Sequence, residues 1–80
     1  MQVKVIKQLA KEYDIPQLKK AEEALLEEQI PEIEIEGEDE GEQLTHVIAA
    51  AWVIDFMAKE EVSMGKAVRE YTNKVRKSID

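Results

Sequence analysis

The sequence predicts a small, mainly α domain: a compact bundle of four helices, with one short extended segment (about residues 32–36) before a central apolar helix. Three observations carry that expectation. Apolar residues recur at three- and four-residue spacing along most of the chain. Capping residues and prolines stand where such stretches would begin and end. Finally, the acidic stretch Glu32–Glu42 runs, after Leu44, Thr45 and His46, into Val47–Ile54 without one polar side chain. Such a junction marks where a chain leaves solvent for its core.

The first helix is expected over Val3–Tyr13, where Val3, Ile6, Leu9, Ala10 and Tyr13 share one face. Val3 and Val5 also alternate as a strand would, but helix is favoured. Asp14 has the character of an N-cap, and Pro16 fits the first turn of a second helix, because its missing N–H costs little there. That helix should run to about Glu28 and end before Pro31, with Ile15, Leu18, Ala21, Leu25 and Leu26 inward. Glu32-Ile33-Glu34-Ile35-Glu36 then alternates strictly, which predicts an extended segment with the isoleucines inward. No second strand is evident, so it must pair with Val3–Val5, pair with a second copy, or lie unpaired over the helices.

Gly37 and Gly41 frame a turn, and Asp39 with Glu42 has the acceptor-x-x-Glu spacing of a capping box. The third helix should therefore start near Glu40 and reach about Lys59. Leu44, Val47, Ile48, Ala51 and Ile54 lie along one face; Ala49, Trp52, Val53, Phe56 and Met57 cover most of the rest. A helix apolar nearly all round is either central or partly turned to a partner subunit. Ser63 caps a fourth helix, Met64 to about Ser78, whose seam is Met64, Val68, Tyr71, Val75 and Ile79 with Ala67 beside it.

Eighty residues make a single domain, 1–80, and a chain this short buries only about 60–65% of its unfolded surface. With no cysteine, it has neither disulfide nor thiolate zinc site. Association into a homodimer is a natural route to further burial. Lys4, Lys7 and Lys11 interrupt any signal-peptide core, and eight apolar residues fall far short of the roughly 20 that span a bilayer. A soluble, cytoplasmic protein is expected, with no membrane contact.

The net charge of −7 is segregated: +3 over residues 1–20, −13 over 21–61 and +3 over 62–80. The total disfavours nucleic acid, which needs a net cationic footprint. It suits a basic protein partner met through Glu36, Glu38, Asp39 and Glu40. Lys74, Arg76 and Lys77 complement the dipole at the end of the last helix, or dock an acidic partner.

Catalytic sets are missing from the pattern. The single histidine would have to anchor any triad, and the glycines belong to no phosphate-cradling loop. The acids lack EF-hand spacing. No cofactor is implied, and the chain reads as a non-enzyme. Two weaker readings remain. Glu42 and His46, four apart on one helix face with Asp39 nearby, could converge on a divalent metal; the plainer account makes Glu42 a cap and His46 a boundary residue bonded to a carboxylate. A small-ligand pocket could lie beside Trp52, although Trp52, Phe56 and Tyr71 read first as core or interface.

The block Ile35-Glu36-Gly37-Glu38-Asp39-Glu40-Gly41-Glu42-Gln43-Leu44-Thr45-His46, followed by the Ala-rich helix with Trp52, resembles a family of small uncharacterised bacterial proteins of similar length. The resemblance extends over most of the chain. It implies a complete, stand-alone bacterial protein and carries over no activity, cofactor, partner or site residue.

Overall fold

A computed structural model describes the backbone of residues 2–79 and the side chains of 2–76. Four helices follow one another: α1 (Val3–Glu12), α2 (Ile15–Leu26), α3 (Glu40–Glu60) and α4 (Met64–Ile79). The start of the chain is therefore helix, not strand. The proposed seam residue Ile79 and the basic side chain of Lys77 lie outside the described side chains.

Local chemistry sets the boundaries. Asp14 accepts from the Gln17 amide at 3.0 Å while the Gln17 side chain accepts from the Asp14 amide at 3.1 Å, so α2 opens on a full reciprocal cap with Pro16 in its first turn. Asp39 accepts from the Glu42 amide at 2.8 Å and starts α3. Ser63 does the same for α4 through the Lys66 amide at 3.3 Å.

The end of α2 departs from expectation. Pro31 does not stop it. Glu28 turns into the left-handed region (φ 58°), the Gln29 amide returns to the Ala24 carbonyl at 2.7 Å, and the Glu28 amide to Leu25 at 3.2 Å. This paired closure ends the helix two residues earlier than the apolar pattern alone suggested.

Helix α3 is the hub. The helices α1, α2 and α4 each pack on it, and α1 also touches α4. Ala49 and Ala50 are wholly buried, and their small side chains let the surrounding helices come close. Val5, Ile6 and Leu9 of α1, Leu18, Ala21 and Leu25 of α2, Val47 and Val53 of α3, and Ala67, Val68 and Tyr71 of α4 complete the core. Two inward assignments are corrected. Val3 is 38% exposed, since Val5 and not Val3 joins Ile6 and Leu9, and Leu26 is 62% exposed; on α3 the buried face runs through His46, Ala50 and Val53, with Ile48 41% exposed.

Residues 30–39 form no strand; among the described residues there is none. The connector finds no backbone ladder. It is held instead by Ile35, which is buried, and by Ile33, which packs on the core edge. The short extended segment expected over residues 32–36 is therefore not supported, and Val3–Val5, being helical, offers it no strand to pair with. Among the described residues no helix is long and apolar enough to cross a membrane.

Candidate functional site

The acidic junction is built around His46. This side chain is completely buried on the inward face of α3, and both ring nitrogens are engaged. Nε2 lies 2.9 Å from the backbone N–H of Gln2, which can only donate. Nδ1 lies 2.8 Å from the backbone carbonyl of Glu36, which can only accept. The pair of partners fixes the tautomer: Nδ1 carries the proton and Nε2 offers its lone pair. One neutral imidazole thus ties the residue before α1 to the connector and to α3. The expectation of a boundary histidine bonded to a carboxylate is corrected on both counts. Its signal in the sequence was position: His46, Ala50 and Val53 fall at i, i+4 and i+7, the only polar member of a buried stripe.

Gly37 makes this latch possible. A Cβ placed there would stand 2.8 Å from the Gln43 Cγ and 2.9 Å from its backbone nitrogen. The connector therefore lies directly against the first turns of α3, where any side chain at position 37 would push it away from His46. Its role is close approach, since no glycine has a positive φ.

Beyond that contact the acids turn outward. Glu36, Glu38, Asp39 and Glu40 are all exposed. Asp39 has a second duty as the cap of α3. Glu42 reaches back, its Oε1 accepting from the Glu38 amide at 3.3 Å, one residue further than a reciprocal cap would reach. Glu34 and Glu36 also edge a hollow of about 110 Å³ against Gln8 and Glu12 of α1 and Tyr13 just after it. That volume is well below the roughly 300 Å³ at which ligand pockets begin.

The three metal candidates do not converge. Asp39 caps, Glu42 turns to the connector amide, and His46 has no free nitrogen; among the described residues no group of three or more ligand-type side chains could hold an ion. A metal at His46 would have to displace a buried backbone bond.

At the other end of α3, Trp52 stacks on Phe56 (centroids 4.8 Å apart, planes 11°) and meets Tyr71 at 5.4 Å. Lys74 Nζ sits 5.4 Å from the Trp52 ring centre, a cation–π contact. Burial raises the Tyr71 phenol above its ordinary pKa of 10.0. This corner joins α3 to α4 by packing.

The fold and site define a small helical domain that displays an anchored acidic rim. Over residues 1–80 the chain matches a family of unknown function (DUF6952), and it belongs to that family. No curated protein matches it, and no solved structure does.

Proposed function

We propose that the protein is a non-enzymatic interaction module of the bacterial cytoplasm, self-associating as a homodimer, that offers Glu36, Glu38, Asp39 and Glu40 to a basic protein partner. One observation carries this reading. Exposed carboxylates stand on a backbone fastened at three successive points: the Glu36 carbonyl by His46, Gly37 by its contact with Gln43, and Asp39 by its cap on α3. A charged surface already held in shape loses little conformational entropy on binding, so its electrostatic complementarity goes into affinity and encounter rate.

The test has to spare the cap. Asp39 supports α3, so reversing its charge would confuse a folding defect with a docking defect. The informative variant is Glu36→Lys/Glu38→Lys/Glu40→Lys, compared with wild type in pull-downs from the native lysate. A basic protein captured by wild type and lost in the variant supports the reading. Equal capture by both, with the variant folded by circular dichroism, ends it.

A further inference from the structure

Helix α3 carries an apolar stripe that its own chain covers only in part, Trp52 lying against Phe56, Tyr71 and Lys74. At about 100° per residue, Leu44, Ile48, Ala51, Trp52, Asp55 and Lys59 fall on the side away from His46, Ala50 and Val53. Ile48 is 41% exposed, and Leu44, Ala51 and Trp52 are only partly covered. An outward face normally carries polar residues, and four apolar ones in a row mark a contact surface.

We propose that this stripe is covered by the same stripe of a second copy, α3 packed antiparallel on α3 about a two-fold axis at Ile48. Making specific the self-association proposed above, it rests on that part of the reading. The charges at the two ends of the stripe choose the occupant and the direction. The end before Leu44 is acidic, at Glu38, Asp39 and Glu40, whereas Lys59 projects from the other end with its side chain 73% exposed. An antiparallel pair centred on Ile48 sets Leu44 against the second copy's Trp52, and Thr45 against its Ala51. It also brings Lys59, together with its ion-pair partner Asp55, to the second copy's Glu38–Glu42 turn, where Asp55 falls opposite Gly41. Each contact occurs twice, as an isologous interface requires. Parallel pairing would set the acidic turns side by side. Moving the axis to between Ala51 and Trp52 would place Ile48 on Asp55 and Leu44 on Lys59, sealing charges against apolar surface. Glu60 lies about 100° round the helix from Lys59 and so off the stripe.

The absence of cysteine gives a clean test. In the Ile48→Cys variant the only thiol of each copy would sit on the axis, facing its mate. Wild type should sediment as a dimer at high micromolar concentration. Ile48→Cys should form a disulfide-linked dimer at least ten-fold faster than the exposed control Lys4→Cys. Because Ile48 is already partly in solvent, Ile48→Lys should keep the helical circular dichroism yet sediment as a monomer. Glu38→Lys and Lys59→Glu should each weaken the dimer, and combining them should restore it. A monomeric wild type at that concentration would overturn self-association itself. A dimeric wild type whose Ile48→Cys form cross-links no faster than the control would overturn this interface alone. Failure of the double charge swap to restore the dimer would overturn the antiparallel register.

Discussion

At the scale of single residues, two side chains and one missing side chain decide how the acidic rim is held. His46 satisfies two backbone groups at once, so its loss is costly in two ways. His46→Ala opens a cavity and strands the Gln2 amide and the Glu36 carbonyl, a combined cost of about 3–5 kcal/mol. His46→Asn can still donate to Glu36 while abandoning Gln2, so urea unfolding should rank it between wild type and Ala. Nitrogen-15 spectra of the imidazole should show the proton on Nδ1; a proton on Nε2 would break this account. Gly37→Ala must shift the connector off the Gln43 backbone, and a loss of about 1–3 kcal/mol should appear in the same assay. Tyr71 adds a pH dependence. Burial raises its pKa in the folded state, so the native form binds the phenolic proton more tightly than the unfolded chain does. The stability this contributes is complete below about pH 10, the unfolded value, and is lost as pH rises through the folded one. In a Tyr13→Phe background, absorbance near 295 nm should show the remaining phenol ionising later in the folded protein than in urea.

Among elements, the helices were legible because each is written twice, in apolar spacing and in its cap. Asp14, Asp39 and Ser63 all cap where their spacing indicated, and the starts of α1, α3 and α4 coincide with the expected ones. What was not legible depends on contacts distant in sequence. Nothing near Glu28 announces a left-handed residue, since glycine is the usual occupant of such a position. The alternation of residues 32–36 misled, because a strand needs a partner ladder and none is present among the described residues. The core face of α3 could not be read from the sequence because that helix is apolar nearly all round, which removes the contrast that periodicity needs. His46 is the residue that would have set the phase. Two helix ends now offer a prediction. Glu28 and Glu61 hold φ of 58° and 52°, where a Cβ meets a steric penalty of roughly 1–2 kcal/mol. Allowing for the extra freedom glycine gains when unfolded, Glu28→Gly and Glu61→Gly should each stabilise the protein by about 0.5–1 kcal/mol. A lower melting temperature in either variant would show that these glutamates are doing something other than ending helices.

For the whole molecule, charge is the property least balanced by structure. The middle of the chain holds fourteen acids against one lysine, and that lysine makes the ion pair of Lys59 with Asp55 at 3.1 Å. This pair is exposed, adjacent in one helix and therefore weak. Meanwhile Glu36, Glu38, Asp39 and Glu40 crowd the start of α3 on the solvent side. Two effects compete when salt is added: screening of attractive pairs destabilises, and screening of crowded like charges stabilises. With a net charge of −7 and so dense an acidic rim, repulsion should win. Raising NaCl from 10 mM to 500 mM shrinks the screening length from about 30 Å to a few ångströms, short enough to separate neighbouring carboxylates electrostatically. The melting temperature of wild type, measured at a protein concentration low enough to keep it monomeric, should therefore rise by roughly 5 °C, the response of a domain this size to about 1 kcal/mol. The control is the Glu36→Lys/Glu38→Lys/Glu40→Lys variant. It removes three negative charges and adds three positive ones at the same place, so its melting temperature should start higher in low salt and respond less to NaCl. If wild type and variant rise together, the stabilisation is a general salt effect on apolar burial. If wild type falls, the acids are neutralised by attractive partners, and the rim is not the repulsive, waiting surface on which the proposed docking function depends.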